Sequence, residues 1–167
     1  MKADFHMHTE YSPDSQMPTE KLVARCLEVG LGCIAVTDHD TIEGALEVQR
    51  VAPFTVIIGE EVRSSDGEIS GLFLNEMVPQ GLSAIETARR IKEQGGLVSV
   101  PHPFDRFRRG SINRGALEDI LPYTDIVEVF NSRNNLDADN RKAHRFARHN
   151  NLLASAVSDA HTALELG

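Results

Sequence analysis

The chain has 167 residues, 41% of them hydrophobic, which suits a single domain over residues 1–167 with a sizeable core. Its formal net charge of −8 repels polyanions over most of the surface and argues against stable binding to duplex nucleic acid without a local basic patch. Two cysteines, an opening MKADFHMH without a long apolar run, and no stretch near the roughly 18 apolar residues of a membrane span argue against a disulfide framework and a membrane partner, and point to a soluble, unprocessed, cytoplasmic protein.

Short apolar runs alternate with longer segments of helical period, the pattern of parallel strands joined by crossover helices, so the expected class is α/β. In chain order, a strand over Ala3–Met7 precedes a helix that starts at Thr19, carries Leu22, Val23, Cys26 and Leu27 at apolar spacing, and stops at Gly30. A strand over Cys33–Thr37 leads to a helix over Thr41–Val51 and a strand over Thr55–Gly59. Val62–Leu74, with Asp66 and Gly67 between two runs of strand character, reads as an inserted hairpin. A helix over Ser83–Gln94 ends at Gly95 and Gly96. Strands over Leu97–Val100, Ile126–Val129 and Leu153–Val157 follow, and between the last two lies a polar helix, Asp137–Asn150, with a thin stripe of Ala143, Phe146 and Ala147.

Ionisable residues collect where these strands end. His6 and His8 are two apart, so in a strand both imidazoles face one side and Met7 the other. Asp4 lies on the same side, and Asp14 follows in the next loop. Asp38, His39 and Asp40 stop the second strand; a helix N-cap would account for Asp40, or for Thr41 beside it, and leaves His39 unexplained. Glu60 and Glu61 follow the third strand, and alternation alone does not choose between them. His102 sits between Pro101 and Pro103, and Asp159 and His161 follow the last strand. In parallel α/β architectures such strand ends form one face, so these residues are expected to converge.

Imidazoles and carboxylates without thiolate suit zinc, manganese or iron better than magnesium or calcium, and the donors exceed the four that close one structural zinc. Arg106, Arg108 and Arg109 follow His102 in an otherwise acidic chain and suit phosphate oxygens, or else form a solvated loop. Glu128 and Asn131 lie at another strand exit, placed to orient substrate or to support the ligands. His144 and His149 fall on the polar helix and are expected at the surface.

Asp4-Phe5-His6-Met7-His8-Thr9, Thr37-Asp38-His39-Asp40, Gly59-Glu60-Glu61-Val62, Pro101-His102-Pro103 and Ser158-Asp159-Ala160-His161 together resemble, in order and spacing, the motifs of the PHP family, named for polymerase and histidinol phosphatase domains. The resemblance implies a distorted, TIM-like (β/α)7 barrel with a multinuclear metal site. His6, His8, Glu61 and Asp159 would hold a first ion, Glu61 would bridge to a second ion on His102, and Asp14, His39 and His161 would hold a third. Many relatives carry a histidine on the strand after the hairpin, where this chain offers Ser70, so two or three divalent ions are expected. The chain ends at Gly167 soon after the last motif, which implies a barrel incomplete at the C-terminus and an edge that a second copy covers, or else a truncated chain. The expected activity is hydrolysis of a small phosphomonoester or nucleotide by metal-activated water, with Asp38 or His161 relaying protons and Arg106, Arg108, Arg109 and Asn131 binding substrate. The alternatives are a regulatory metal-binding module without turnover and a hydrolase of C–N bonds.

Overall fold

Aliphatic runs become strands where they can be buried on both sides, by helices outside and by side chains within, as in the third and fifth strands, whereas the first and last are largely exposed. The computed structural model describes residues Met1–Gly167. Its seven strands lie in chain order in one sheet: β1 (Lys2–Asp4), β2 (Leu31–Val36), β3 (Thr55–Ser64), β4 (Gly67–Leu72), β5 (Leu97–Val100), β6 (Thr124–Asn131) and β7 (Leu153–Val157). All neighbours are parallel except β4, which runs antiparallel to both β3 and β5. The helices are α1 (Thr19–Val29), α2 (Glu43–Val51), α3 (Ala84–Glu93), α4 (Arg114–Asp119) and α5 (Asp137–His149).

Past β1 the chain stays extended without a continuous ladder. The Thr37 N–H donates to the Met7 carbonyl (2.9 Å), the His8 N–H to the Ala160 carbonyl (2.8 Å) and the Asp159 N–H to the His6 carbonyl (2.9 Å). The first of these bonds joins the exit of β1 to that of β2 and the other two join it to that of β7, and the sheet rolls into a nearly closed α/β barrel. Beside that junction a cavity of about 540 Å³, lined by Ala3, Leu31, Phe130 and Val157 among others, separates β1 from β7. The main core packs Met7, Leu22, Ile34, Val62, Ile69 and Ile91 between strands and helices.

Several boundaries move for identifiable reasons. The first strand ends at Asp4 rather than Met7, because His6–His8 bond alternately to the β2 and β7 exits. Helix α2 starts at Glu43; Asp40 adopts a left-handed φ of 55° and accepts the Arg63 N–H (2.8 Å) instead of capping the helix. Ser83 does cap α3, accepting the Glu86 N–H at 3.2 Å. The hairpin begins earlier than expected, since β3 pairs with β2 through Ile58 and then with β4 from Gly59 onward. Helix α4, absent from the sequence reading, is capped by Asn113, whose side chain accepts the Ala116 N–H at 2.9 Å.

Candidate metal centre

At the strand exits the pleat turns alternate residues inward. Met7 enters the hydrophobic core, while the buried imidazoles of His6 and His8 bring their Nε2 atoms to 3.0 Å. Glu61 Oε2 lies 3.1 Å from His6 Nε2 and 3.3 Å from His8 Nε2, and Asp159 Oδ1 lies 3.5 and 3.4 Å from the same nitrogens. Tetrahedral ligands about 2.0–2.1 Å from one ion sit about 3.3–3.4 Å apart, so the His6, His8 and Glu61 atoms are spaced as part of such a set and Asp159 stands at a similar distance from both imidazoles. Glu61 Oε1 turns the other way, 3.1 Å from His102 Nε2, which Glu68 Oε2 approaches to 3.6 Å. Outermost, Asp14 Oδ2 lies 3.4 Å from His39 Nε2 and 3.2 Å from His161 Nε2.

The residues fit divalent cations on their own chemistry. Asp159 Oδ1 and His39 Nδ1 are buried with no hydrogen-bond partner. Every donor in the groups is nitrogen or oxygen. Burial opposes charge on His6, yet Glu128, Asp159 and Glu61 hold its pKa well above the ordinary value. Against the same cost, Asp14, Glu61 and Glu68 push His39 up to about 9. Burial should raise Glu61, but His6, His102 and His8 hold it well below the carboxylate range. The cluster attracts positive charge, whether protons or metal ions supply it. His102 (φ 29°) and Asp159 (φ 55°) also hold left-handed backbone, a conformation costing a non-glycine residue of order 1–3 kcal/mol and retained where function needs it.

A supporting layer fixes these donors. Glu128 Oε1 bonds His6 Nδ1 at 2.6 Å, while its Oε2 accepts the His102 N–H and the Asn131 amide, each at 3.0 Å. Asn131 in turn donates to Asp159 Oδ2 (3.0 Å) and is buried away from solvent. Asp38 is wholly buried too; its oxygens accept the Thr9 N–H and hydroxyl, both at 2.6 Å. Ser12 Oγ bonds His8 Nδ1 (3.2 Å) and Asp14 Oδ1 (3.0 Å). Asp4 faces backbone amides of His6 and Ser158 and stays outside the cluster.

Of the arginines, only Arg108 reaches the mouth, donating to Asp159 Oδ2 at 2.6 Å. Arg106 is drawn to Asp139 on α5 (2.8 Å), and Arg109 lines a separate cleft beside the hairpin tip. The expected three-arginine cluster therefore disperses. Asn131 likewise stands beneath the carboxylates instead of at the pocket, and Asp38 braces Thr9.

Five residues lining the pocket were not singled out from the sequence: Asp105 and Phe107 beside Arg108, and Glu68, Arg133 and Asn135. Glu68 enters from β4, two residues before Ser70 and on the same face, through space left by Gly110, where a Cβ would lie 2.0 Å from its carboxylate. Its signal was the strand period itself. Arg133, whose guanidinium abuts His161 Nδ1, and Asn135 line the pocket from the loop after β6. Between Glu60 and Glu61 the geometry is clear: Glu60 faces away, accepts the Val78 N–H at 2.8 Å, and burial pushes it up to about 7 against that bond.

Fold and site together define a class, the small α/β barrels with a metal-binding mouth. The chain belongs to the PHP family: residues 4–81 match the PHP domain and residues 137–167 the PHP-associated segment. It is 40% identical over 147 residues to an uncharacterized protein of Methanocaldococcus jannaschii, covering 79% of this chain and 82% of that one. A second protein of that organism, also uncharacterized, is 36% identical over 170 residues, covering 100% and 68%. A two-domain protein of Bacteroides vulgatus containing a predicted PHP-like metal-dependent phosphoesterase superposes with a TM-score of 0.81 at 20% identity, over 99% of this chain and 53% of that one. An amidohydrolase of Chromobacterium violaceum with bound sulfate gives 0.81 at 18% identity, over 100% and 90%. Endonuclease Q in complex with a duplex substrate gives 0.64 at 17%, over 96% and 49%.

Proposed function

We propose that the protein is a metal-dependent phosphoric ester hydrolase acting on a small phosphomonoester or nucleotide phosphate ester, with two or three ions of zinc, manganese or iron. One observation carries this reading: four overlapping groups of metal-type donors, two of them sharing Glu61 and three sharing His8, lie at an open pocket of about 330 Å³ lined by Asp14, His39, Glu68 and His161 and walled by Arg108 and Arg133. Divalent cations held there would lower the pKa of water and draw charge from phosphoryl oxygens. His6, His8, Glu61 and Asp159 would hold one ion, Glu61, Glu68 and His102 a second, and Asp14, His39 and His161 a third. Glu68 supplies the oxygen donor that Ser70 does not, which favours a working site over a bare binding module.

The chain's own residues do the rest. Arg108 and Arg133 present guanidinium donors to the substrate's phosphoryl oxygens, where paired hydrogen bonds orient the ester. Asp38 has both oxygens occupied by Thr9 and no route to the pocket, which leaves His161, at the pocket wall, as the proton relay of the two in the two-ion form, where its Nε2 does not hold a third ion. The pocket's size suits a small ester. Endonuclease Q, complexed with a duplex, shares the fold, so the choice of a small substrate rests on pocket volume rather than on the protein's average charge.

Protein reconstituted with Mn²⁺, Zn²⁺ or Fe²⁺ should release phosphate from members of a panel of phosphomonoesters and dinucleotides; no release under any metal would sink the reading. In His39→Ala, turnover should fall far more than thermal stability. A module that merely stores metal would instead lose stability in proportion to the metal it loses.

A further inference from the structure

Away from the barrel mouth, the cleft between α4 and α5 has chemistry that the metal centre does not use. The last ten residues of α5, Asn140–His149, contain no carboxylate in a chain of net charge −8. Arg141, Lys142, Arg145, Arg148 and His149 are all exposed along it. The two ion pairs nearby, Arg106–Asp139 and Arg114–Glu118, leave these α5 cations without a carboxylate partner. Lys142, Arg145 and His149 recur at helical spacing on one stripe, the stripe that faces α4.

That stripe borders a cavity of about 440 Å³ whose floor is Phe104, Leu117 and Phe146. The two phenylalanine rings meet edge to face at 5.6 Å, and Lys142 Nζ lies 4.3 Å from the centroid of the Phe104 ring. Glu118, the lining's one carboxylate, is taken up by Arg114 at 3.3 Å. The cavity therefore combines an aromatic floor with a rim whose Lys142 and Arg145 charges are uncompensated. Its volume falls within the range of small-ligand pockets. The apolar side of α5, Ala143 and Ala147 among it, packs inward against the barrel, so no apolar face is left for a lipid surface.

We infer that the α4–α5 cleft is a second binding site, distinct from the metal centre, for a phosphate attached to a planar ring: a nucleoside monophosphate or the terminal nucleotide of a single strand. The ring stacks on Phe104 in the place Lys142 now covers, and the dianionic phosphate meets Lys142, Arg145 and His149. The two sites share no lining residue, and the inference stands whether or not the metal centre is hydrolytic.

A fluorescent adenosine monophosphate titrated into chelator-treated protein, followed by anisotropy, tests the site without metal. Binding should survive chelation and weaken at least about tenfold in the double variant Lys142→Glu/Arg145→Glu. In the unaltered protein it should weaken severalfold between low and high salt, which needs no variant to fold. Both substituted residues are exposed, and turnover of a small aryl phosphate by the metal-loaded variant should match the parent. A 5′-phosphorylated trinucleotide that binds at least tenfold tighter identifies a strand end as the ligand; equal or weaker binding identifies the free nucleotide. Absence of binding at millimolar nucleotide, binding unchanged by the double variant, or binding abolished by chelation would each overturn the inference.

Discussion

Glu128 shows how much of a site can hang on one side chain that touches no substrate. Its carboxylate engages His6 Nδ1, the His102 amide and, through Asn131, Asp159, so one residue braces donors from three separate chain segments. Bonding Nδ1 leaves Nε2 as the lone pair aimed at the cluster, the usual way a carboxylate fixes a ligating imidazole. Glu128→Gln preserves shape but loses the charge that holds this tautomer. We expect metal affinity to drop about 10–100-fold in equilibrium dialysis with the fold retained. At the opposite extreme, Cys26 is wholly buried, and burial, with Asp4 nearby, raises its thiol to about 11. A raised thiol pKa keeps the unreactive protonated form until the pH approaches that value. At pH 8 roughly one part in a thousand is thiolate, so alkylation in the native state should be slow and should become fast only with denaturant.

At the scale of elements, the placing of α2 decides whether the Thr9–Asp38 brace exists. A Cβ at Gly44, in the helix's first turn, would lie 1.9 Å from Asp38 Oδ2 and 2.4 Å from Thr9 Oγ1. The helix docks this closely only because no side chain intervenes. Gly44→Ala should therefore cost about 1–3 kcal/mol in chemical denaturation, despite alanine's better helix propensity, and should weaken metal binding at Asp14 and His39. The hairpin is the other element with consequences for the site. Since β4 runs antiparallel to its neighbours, it presents Glu68 from the tip end toward His102, and a second carboxylate joins Glu61 there.

For the whole molecule, the barrel closes through bonds made by the metal-type residues themselves: the His8 and Asp159 amides tie the first strand's exit to the last. Closure and site assembly are thus one event. Stripping divalent ions should lower the melting temperature, and readdition should restore it, with a stabilisation of about 3–4 kcal/mol when metal exceeds its Kd by a hundredfold to a thousandfold. Calorimetry with and without chelator checks this; an unchanged midpoint would mean that the folded and unfolded chains bind metal alike. Charge, too, is a property of places. The net −8 describes an average, while α5 presents an uninterrupted basic face that no bulk figure reveals.

The positions of most strands, the α/β class and the convergence of His6, His8, His39, His102 and His161 were legible from residues alone, because apolar period marks strands and parallel α/β architectures send strand ends to one face. Local spacing could not say which of Glu60 and Glu61 turns inward, since the chain there leaves β2 to pair with β4. Nor could it separate Arg108 from Arg106, whose partners, Asp159 past β7 and Asp139 on α5, are distant in the chain. Arg133 acquires its place only from contacts across the barrel, whereas Glu128 was legible as a supporting residue at a strand exit and the strand period carried an unread signal for Glu68. Pattern is a near-neighbour property, whereas the direction of a side chain at a strand's end depends on what the fold brings opposite it.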